Sequence, residues 1–320
     1  AENLPGIYCA WRGPSLLILD REGGASPDMV AGFFFRETRY LSRFELLING
    51  ERPFACSVAQ VEANRLEYTY IYPAVDVGAG GGSGSGGQER HGGILQRGVD
   101  IRQVLIVHPS SIEVILEIGN RWDELADVNL AWQFDADFCD VPEAQSGRRI
   151  QQAQVESEPL ERGLRFRYLH ERLPFTTEIV GDGLKASGDC LTARLTLARQ
   201  QPTTIRLHIT AIDYADPMSE SEGAIRDGRV ERWFKDASMI TSTADGITEI
   251  VNRGVRDLGS FALLDGMADE WLTPAAGVPL YLSLWGRDAL TAAWQGALFD
   301  QGQMAECSVN RIGRLQGKGV

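Results

Sequence analysis

The chain has 320 residues, 43% of them hydrophobic, and carries 31 Lys and Arg against 44 Asp and Glu, a formal net charge of −13. That apolar content excludes a disordered chain. No apolar run approaches the ~18 residues of a spanning helix, which excludes a helical membrane protein, and no basic stripe exists to hold nucleic acid. At ~100–200 residues per domain, the length suggests two domains or one large domain and part of a second.

Residues 1 to about 235 carry the pattern of strands. SLLILD (Ser15–Asp20) runs into the turn-like REGGASPD, and Phe33–Phe35 and Arg39–Ile48 follow, closed by the hairpin signal Asn49-Gly50. Ile101–Val107 and Ser111–Ile118 flank His108-Pro109-Ser110 and predict two antiparallel strands with a short turn. Val128–Phe134, Leu164–Tyr168, Phe175–Val180, Leu191–Leu197 and Thr204–Ile212 continue at short spacing. Many short strands broken by turn residues predict an antiparallel β-sandwich. GAGGGSGSGG (Gly78–Gly87) reads as a flexible loop, natural or engineered. It lacks the Lys-Ser/Thr of a phosphate-binding loop, and no cofactor is expected.

After about Val230 the period changes. Within Thr243–Leu264, residues Ile247, Ile250, Val251, Val255, Leu258 and Phe261 fall near a 3.6-residue spacing and predict a helix. Trp271–Leu284 holds Pro274, Gly277 and Pro279 and reads as loop or extended chain. Asp288–Phe299 is helical, with Asp288 placed to cap it or complement its dipole, and Gln303–Gln316 makes a third helix. Three consecutive helices close no fold of their own. The expected division is a β-sandwich domain over 1–235 and a helical domain over 236–320.

The five cysteines (Cys9, Cys56, Cys139, Cys190, Cys307) are odd in number and widely spaced, so a disulfide framework or zinc knuckle is not expected and a reducing, cytoplasmic setting is. The histidines (His91, His108, His170, His208) show no metal-ligand spacing, and no metal site is expected. The N-terminal AENLPGIYCAWRG has no charged n-region followed by an apolar run, so no signal peptide is read there.

The informative segment is GVPLYLSLWGRDAL (Gly277–Leu290). An Asp carboxylate accepts from two vicinal hydroxyls, an Arg fork donates to neighbouring oxygens, and Trp285 offers a flat wall to a sugar ring. The other reading is an Arg-Asp pair that merely caps a helix. Asp135, Asp137, Asp140 and Glu143, in FDADFCDVPE, are either solvated carboxylates at a strand end, a domain-interface or subsite group, or part of a cation site. Arg39 and Tyr40, in FRETRYLS, point to opposite faces of a strand. They meet a neighbouring domain, or Arg39 pairs with Glu37 or Glu45. Trp122 and Trp132 read as sandwich core.

GVPLYLSLWGRDAL resembles the segment that opens the (α/α)6 barrel of amylo-α-1,6-glucosidase-like and glucoamylase-like glycoside hydrolases. AGFFFRETRYLSRFELLINGERP (Ala31–Pro53) and GNRWDELADVNLAWQFDADFCDVPEAQSGRR (Gly119–Arg149) resemble the N-terminal domain preceding such barrels in bacterial glycogen-debranching-type proteins. The resemblance implies a β-sandwich followed by the first helices of an (α/α)6 barrel. It implies inverting hydrolysis of α-linked glucose at glycogen or malto-oligosaccharide branch points, and Trp285, Arg287 and Asp288 as substrate-binding residues. It implies an oligosaccharide or glucan as partner, together with the remainder of the barrel in the same or another chain. It also turns the acidic run with Asp137 and Asp140 toward the barrel, at an interface or subsite, while Arg39 and Tyr40 stand as interface or subsite candidates from strand alternation alone. Inversion needs two carboxylates about 6.5–9.5 Å apart. In the family these lie later in the barrel, so no catalytic acid or base is assigned here. A non-catalytic carbohydrate-binding module, and another enzyme of the same architecture, remain as alternatives.

Overall fold

A computed structural model describes residues 6–73, 90–91, 94–95, 97–150, 152–265 and 269–317. The Gly78–Gly87 segment lies outside the described residues. In chain order the strands are β1 Tyr8–Arg12, β2 Ser15–Leu19, β3 Gly32–Phe35, β4 Thr38–Leu41, β5 Arg43–Ile48, β6 Phe54–Glu62, β7 Arg65–Tyr72, β8 Arg90–His91, β9 Ile94–Leu95, β10 Val99–Val107, β11 Ser111–Asn120 and β12 Ala126–Asp135. A short helix α1, Val141–Ser146, precedes β13 Val155–Leu160, β14 Gly163–Tyr168, β15 Phe175–Gly181, β16 Lys185–Ser187, β17 Cys190–Leu197 and β18 Thr203–Asp213. Helices α2 Glu220–Asp236, α3 Ile247–Ser260, α4 Gly286–Asp300 and α5 Gln303–Leu315 follow.

The fold is mainly β, and its sheets are antiparallel. The largest has the order β13-β14-β15-β18-β11-β10-β7-β6, and two four-stranded sheets run β1-β2-β3-β4 and β16-β17-β12-β5. Strict alternation in β12, where Val128, Leu130, Trp132 and Phe134 are buried and their neighbours are not, marks a strand with one wet face. Those inward residues join Leu66, Tyr68, Tyr70, Leu116 and Phe166 in one continuous core. The β10–β11 hairpin forms as the sequence predicts, with Ile101 opposite Ile118 and Val107 opposite Ile112.

Two sequence expectations change. Asn49-Gly50 does make a tight turn, with both residues at positive φ (52° and 85°) and Ile48 bonded to Glu51 in both directions. The strands it joins do not pair further, because β5 continues beside β12 whereas β6 continues beside β7. The strand-rich stretch also stops at Asp213. Residues 220–236 form α2, capped by the Ser219 hydroxyl, which accepts from the Glu222 N–H at 3.1 Å.

A second core joins the helices through Val230, Trp233, Val255, Leu272, Ala293 and Met304. Asp300 ties three elements together: it accepts from Trp233 Nε1 (3.2 Å) and from the backbone N–H groups of Gly302 (3.0 Å) and Met304 (2.8 Å). The outer margin of β6 is covered at both ends. Glu22 accepts from the Ala55 N–H (3.3 Å), Arg253 donates to the Val61 carbonyl (3.0 Å), and the strand is stepped by two register shifts. All five cysteines are free. Among the described residues no helix is long and apolar enough to cross a membrane, and no cluster of His, Cys, Asp or Glu is arranged to hold a metal.

Candidate functional site

The segment between α3 and α4 reaches the site along a fixed path. Phe261 stacks on Trp11 of β1 (4.9 Å between ring centres), and Leu263, Ala275 and Leu282 are buried in the β core. Backbone bonds brace it: Leu263 donates to Thr273 (3.0 Å), Ala275 to Phe261 (2.9 Å) and Ala276 to Ser283 (3.2 Å). Gly277 and Tyr281 bond each other in both directions at 3.0 Å, so residues 277–281 form a closed loop with Pro279 inside it. The proline- and glycine-rich stretch is therefore neither helix nor strand, as the sequence predicts, but it is pinned.

This path delivers Trp285 as the N-cap of α4, with Gly286, Arg287 and Asp288 in the first turn. Trp285 is 49% exposed and Tyr281 54% exposed, and their rings stand perpendicular, 5.6 Å apart. Trp285 Nε1 donates to Ser283 Oγ at 3.1 Å, which fixes the indole. The Arg287 side chain is open to solvent and that of Asp288 half so, with Nη2 and Oδ2 3.6 Å apart. Arg287 and Asp288 thus form a loose ion pair, longer than a hydrogen bond, and both groups stay in contact with solvent. Asp288 does not cap the helix. No side chain caps α4, and Asp288 sits where a carboxylate complements the helix dipole. Two perpendicular, exposed aromatic rings on the loop are thus followed at once, in the first turn of α4, by an exposed guanidinium and a half-exposed carboxylate, and these four side chains form the corner. Tyr281 and Ser283 were not read from the sequence as site residues. The i, i+4 spacing of Tyr281 and Trp285 was available, but only the closed loop sets their rings at right angles.

The other sequence candidates are used differently. Arg39 is 3% exposed and grips Asp137 with two bonds, Nε to Oδ1 at 3.1 Å and Nη2 to Oδ2, while Nη1 donates to the carbonyls of Met29 (2.8 Å) and Ala31 (3.2 Å). Its partner is therefore neither Glu37 nor Glu45, and its guanidinium is spent inside the β region rather than on a subsite. Tyr40 is buried among Phe35, Phe138 and Phe175, out of reach of a sugar. Asp140 is the N-cap of α1, accepting from the Glu143 N–H at 2.7 Å while Glu143 reaches back to the Asp140 N–H at 3.2 Å. That reciprocal cap gives both carboxylates a structural task. Burial raises the Asp135 carboxyl, and burial pushes the Cys139 thiol up to about 12, which keeps it protonated. Trp132 is wholly buried, as core. What this region sets against the loop leading to the corner is the turn around Glu37 and the start of α1. Glu37 and Val141 line one small crevice with Pro279, Leu280 and Leu282.

Residues 11–208 match the family described as the N-terminal domain of some glycogen debranching enzymes. The chain belongs to that family. The match runs from β1 into β18, so the family domain is the β region, and the Trp285 corner lies beyond it. No curated protein matches the chain. Solved structures similar in fold include a bacterial glucoamylase complexed with acarbose (8% identity, TM-score 0.48, covering 98% of this chain and 52% of that one). Another is a protein from the human microbiome assigned as a kojibiose phosphorylase (9% identity, TM-score 0.48, covering 82% and 41%). The chain therefore spans about half or less of the length of these two, and likeness at this level carries no argument about chemistry.

Proposed function

We propose that this chain is the β region and first helices of a glycoside hydrolase acting on α-linked glucose at branch points of glycogen or malto-oligosaccharides, in the cytoplasm. The observation that carries the reading is the open corner of Tyr281, Trp285, Arg287 and Asp288. It stands on a loop that the family's β domain itself holds in place. Helices α2 to α5 begin an (α/α)6 barrel. A stripe on α4, Leu290, Trp294 and Leu298, is exposed at 39%, 75% and 85%, and its i, i+4, i+8 spacing suits further helices of that barrel. Asp288 and Arg287 hold the terminal sugar by its distal hydroxyls, and the aromatic walls fix the ring, which contributes by orientation. Hydrolysis proceeds with inversion: a base activates water at the anomeric carbon while an acid protonates the leaving oxygen. Neither group is assigned to a residue of this chain.

The test is made in the protein that carries these helices together with the rest of the barrel. Asp288→Ala is expected to lower turnover of an α-1,6-branched malto-oligosaccharide by two orders of magnitude or more, on the scale of lost positioning, with the melting temperature unchanged. Proton NMR of the first product is expected to show β-glucose. Full activity in the variant would remove the corner from the site, and α-glucose as first product would remove inversion.

A further inference from the structure

Where β1, the β6–β7 turn, α2 and α3 meet, they enclose an open groove of about 280 Å³. Its floor is fixed by paired charges. Arg12, 5% exposed, donates to Asp227 at 2.6 Å and to Glu231 at 3.1 Å, and Arg253 donates to Asp257 at 2.8 Å and to the Val61 carbonyl at 3.0 Å. Phe234 supplies an apolar wall, with the Arg12 guanidinium 6.0 Å from its ring centre. Two more charged side chains line the groove, Glu62 at the end of β6 and Arg256 on α3, both exposed. Neither has a hydrogen-bond or ion-pair partner among the described residues.

Three guanidinium groups and three carboxylates line this groove, with Asp227 behind Arg12, so its charges are close to balanced. That disfavours a phosphate or a polycation, either of which would leave one set of charges opposed. It suits a neutral molecule that donates and accepts at adjacent atoms. A vicinal diol does both: a carboxylate such as that of Glu62 accepts its protons, and a guanidinium such as that of Arg256 donates to its lone pairs. The volume is at the small end for ligand sites and matches one sugar ring rather than several. None of the lining residues comes from α4 or from the loop that carries Trp285.

We infer that the groove is a second oligosaccharide-binding site, holding one neutral hexose unit of a longer chain between Glu62 and Arg256. The choice of ligand rests on the carbohydrate role proposed above. The site holds a chain away from the corner and performs no chemistry.

Isothermal titration of the 320-residue chain with maltoheptaose, and separately with cellohexaose, tests it. Glu62→Ala and Arg256→Ala are each expected to weaken maltoheptaose binding at least about tenfold, the scale of one hydrogen bond to a charged group. Both side chains are exposed, and thermal melts of both variants are expected to overlay the parent. Asp288→Ala is expected to leave this binding event in place. No binding of either sugar, or binding unchanged in both groove variants, overturns the inference. Binding abolished by Asp288→Ala alone also overturns it while keeping the corner. Binding of cellohexaose alone, lost on changing Glu62 or Arg256, keeps the groove and defeats the α-glucose reading.

Discussion

Arg12→Met tests the clamp between the β region and the helices. The Arg12 side chain is almost fully enclosed, and its partner Asp227 is about one quarter exposed. Breaking a buried ion pair by removing one partner costs about 3–5 kcal/mol, because the other charge is left uncompensated. Here His108 remains, with Nδ1 3.6 Å from Asp227 Oδ2, and Asp227 keeps some contact with water. The expected loss is therefore smaller, about 2–3 kcal/mol at pH 7. Burial alone would raise the Asp227 carboxyl, but His108 and Arg12 outweigh it and hold the group below the usual carboxylate range. A carboxyl lowered on folding adds stability that is present above its unfolded value, about 3.9, and disappears as pH falls through the folded value. The parent and Arg12→Met curves should thus lie apart at pH 7 and converge as the pH falls below the unfolded value of about 4 toward 2 and under. Urea unfolding followed by tryptophan fluorescence across that range measures both quantities. A loss under about 0.5 kcal/mol at pH 7, or a gap that persists unchanged to pH 2, would refute the reasoning.

Two glycines of α3 should respond in opposite ways to alanine. Gly254 faces open space, so Gly254→Ala is expected to stabilise by about 0.5–1 kcal/mol through helix propensity. A Cβ on Gly259 would run into the Trp233 ring and meet Phe234 at 2.5 Å, so Gly259→Ala is expected to destabilise by about 1–3 kcal/mol; equal urea midpoints for the two variants would contradict the packing. Asp140→Ala should cost about 1 kcal/mol as a lost N-cap. Calorimetric sugar binding by that variant should be unaltered, and weakened binding would restore Asp140 to a subsite.

The strands were legible because alternation is a local signal. β10, β11 and β12 each bury alternate residues over most of their length, and a window of ten residues suffices to read that. Helices α3 and α5 were legible for the same reason at a different period. Helix α2 was not: its sequence, ESEGAIRDGRVERWFKD, is mostly charged, and the few apolar residues it buries, Val230 and Trp233, make too thin a stripe to recognise. The pairing of Arg39 with Asp137 bridges 98 residues and is set by backbone contacts such as the Arg39 N–H to the Cys139 carbonyl at 2.7 Å, which no local pattern encodes. Asp140 followed by Val-Pro-Glu is a capping-box signature that the sequence did display. Within FDADFCDVPE the run of carboxylates masks it, since an acidic cluster suits a solvated strand end or an interface equally well. At the corner, Trp285-Gly-Arg-Asp was visible as a motif, whereas the contribution of Tyr281 depends on a loop closure that composition alone does not specify.

The stepped and guarded margin of β6 bears on how the protein behaves in a crowded solution. A straight, bare strand nine residues long would offer a template on which copies could line up side by side into fibres. Glu22 and Arg253 already occupy hydrogen-bonding groups near its two ends, and the shifts in pairing confine the even ladder to Ser57–Gln60. Lateral growth of the eight-stranded sheet is therefore hindered on this side by the fold itself, through contacts made from outside the strand that shorten the free edge.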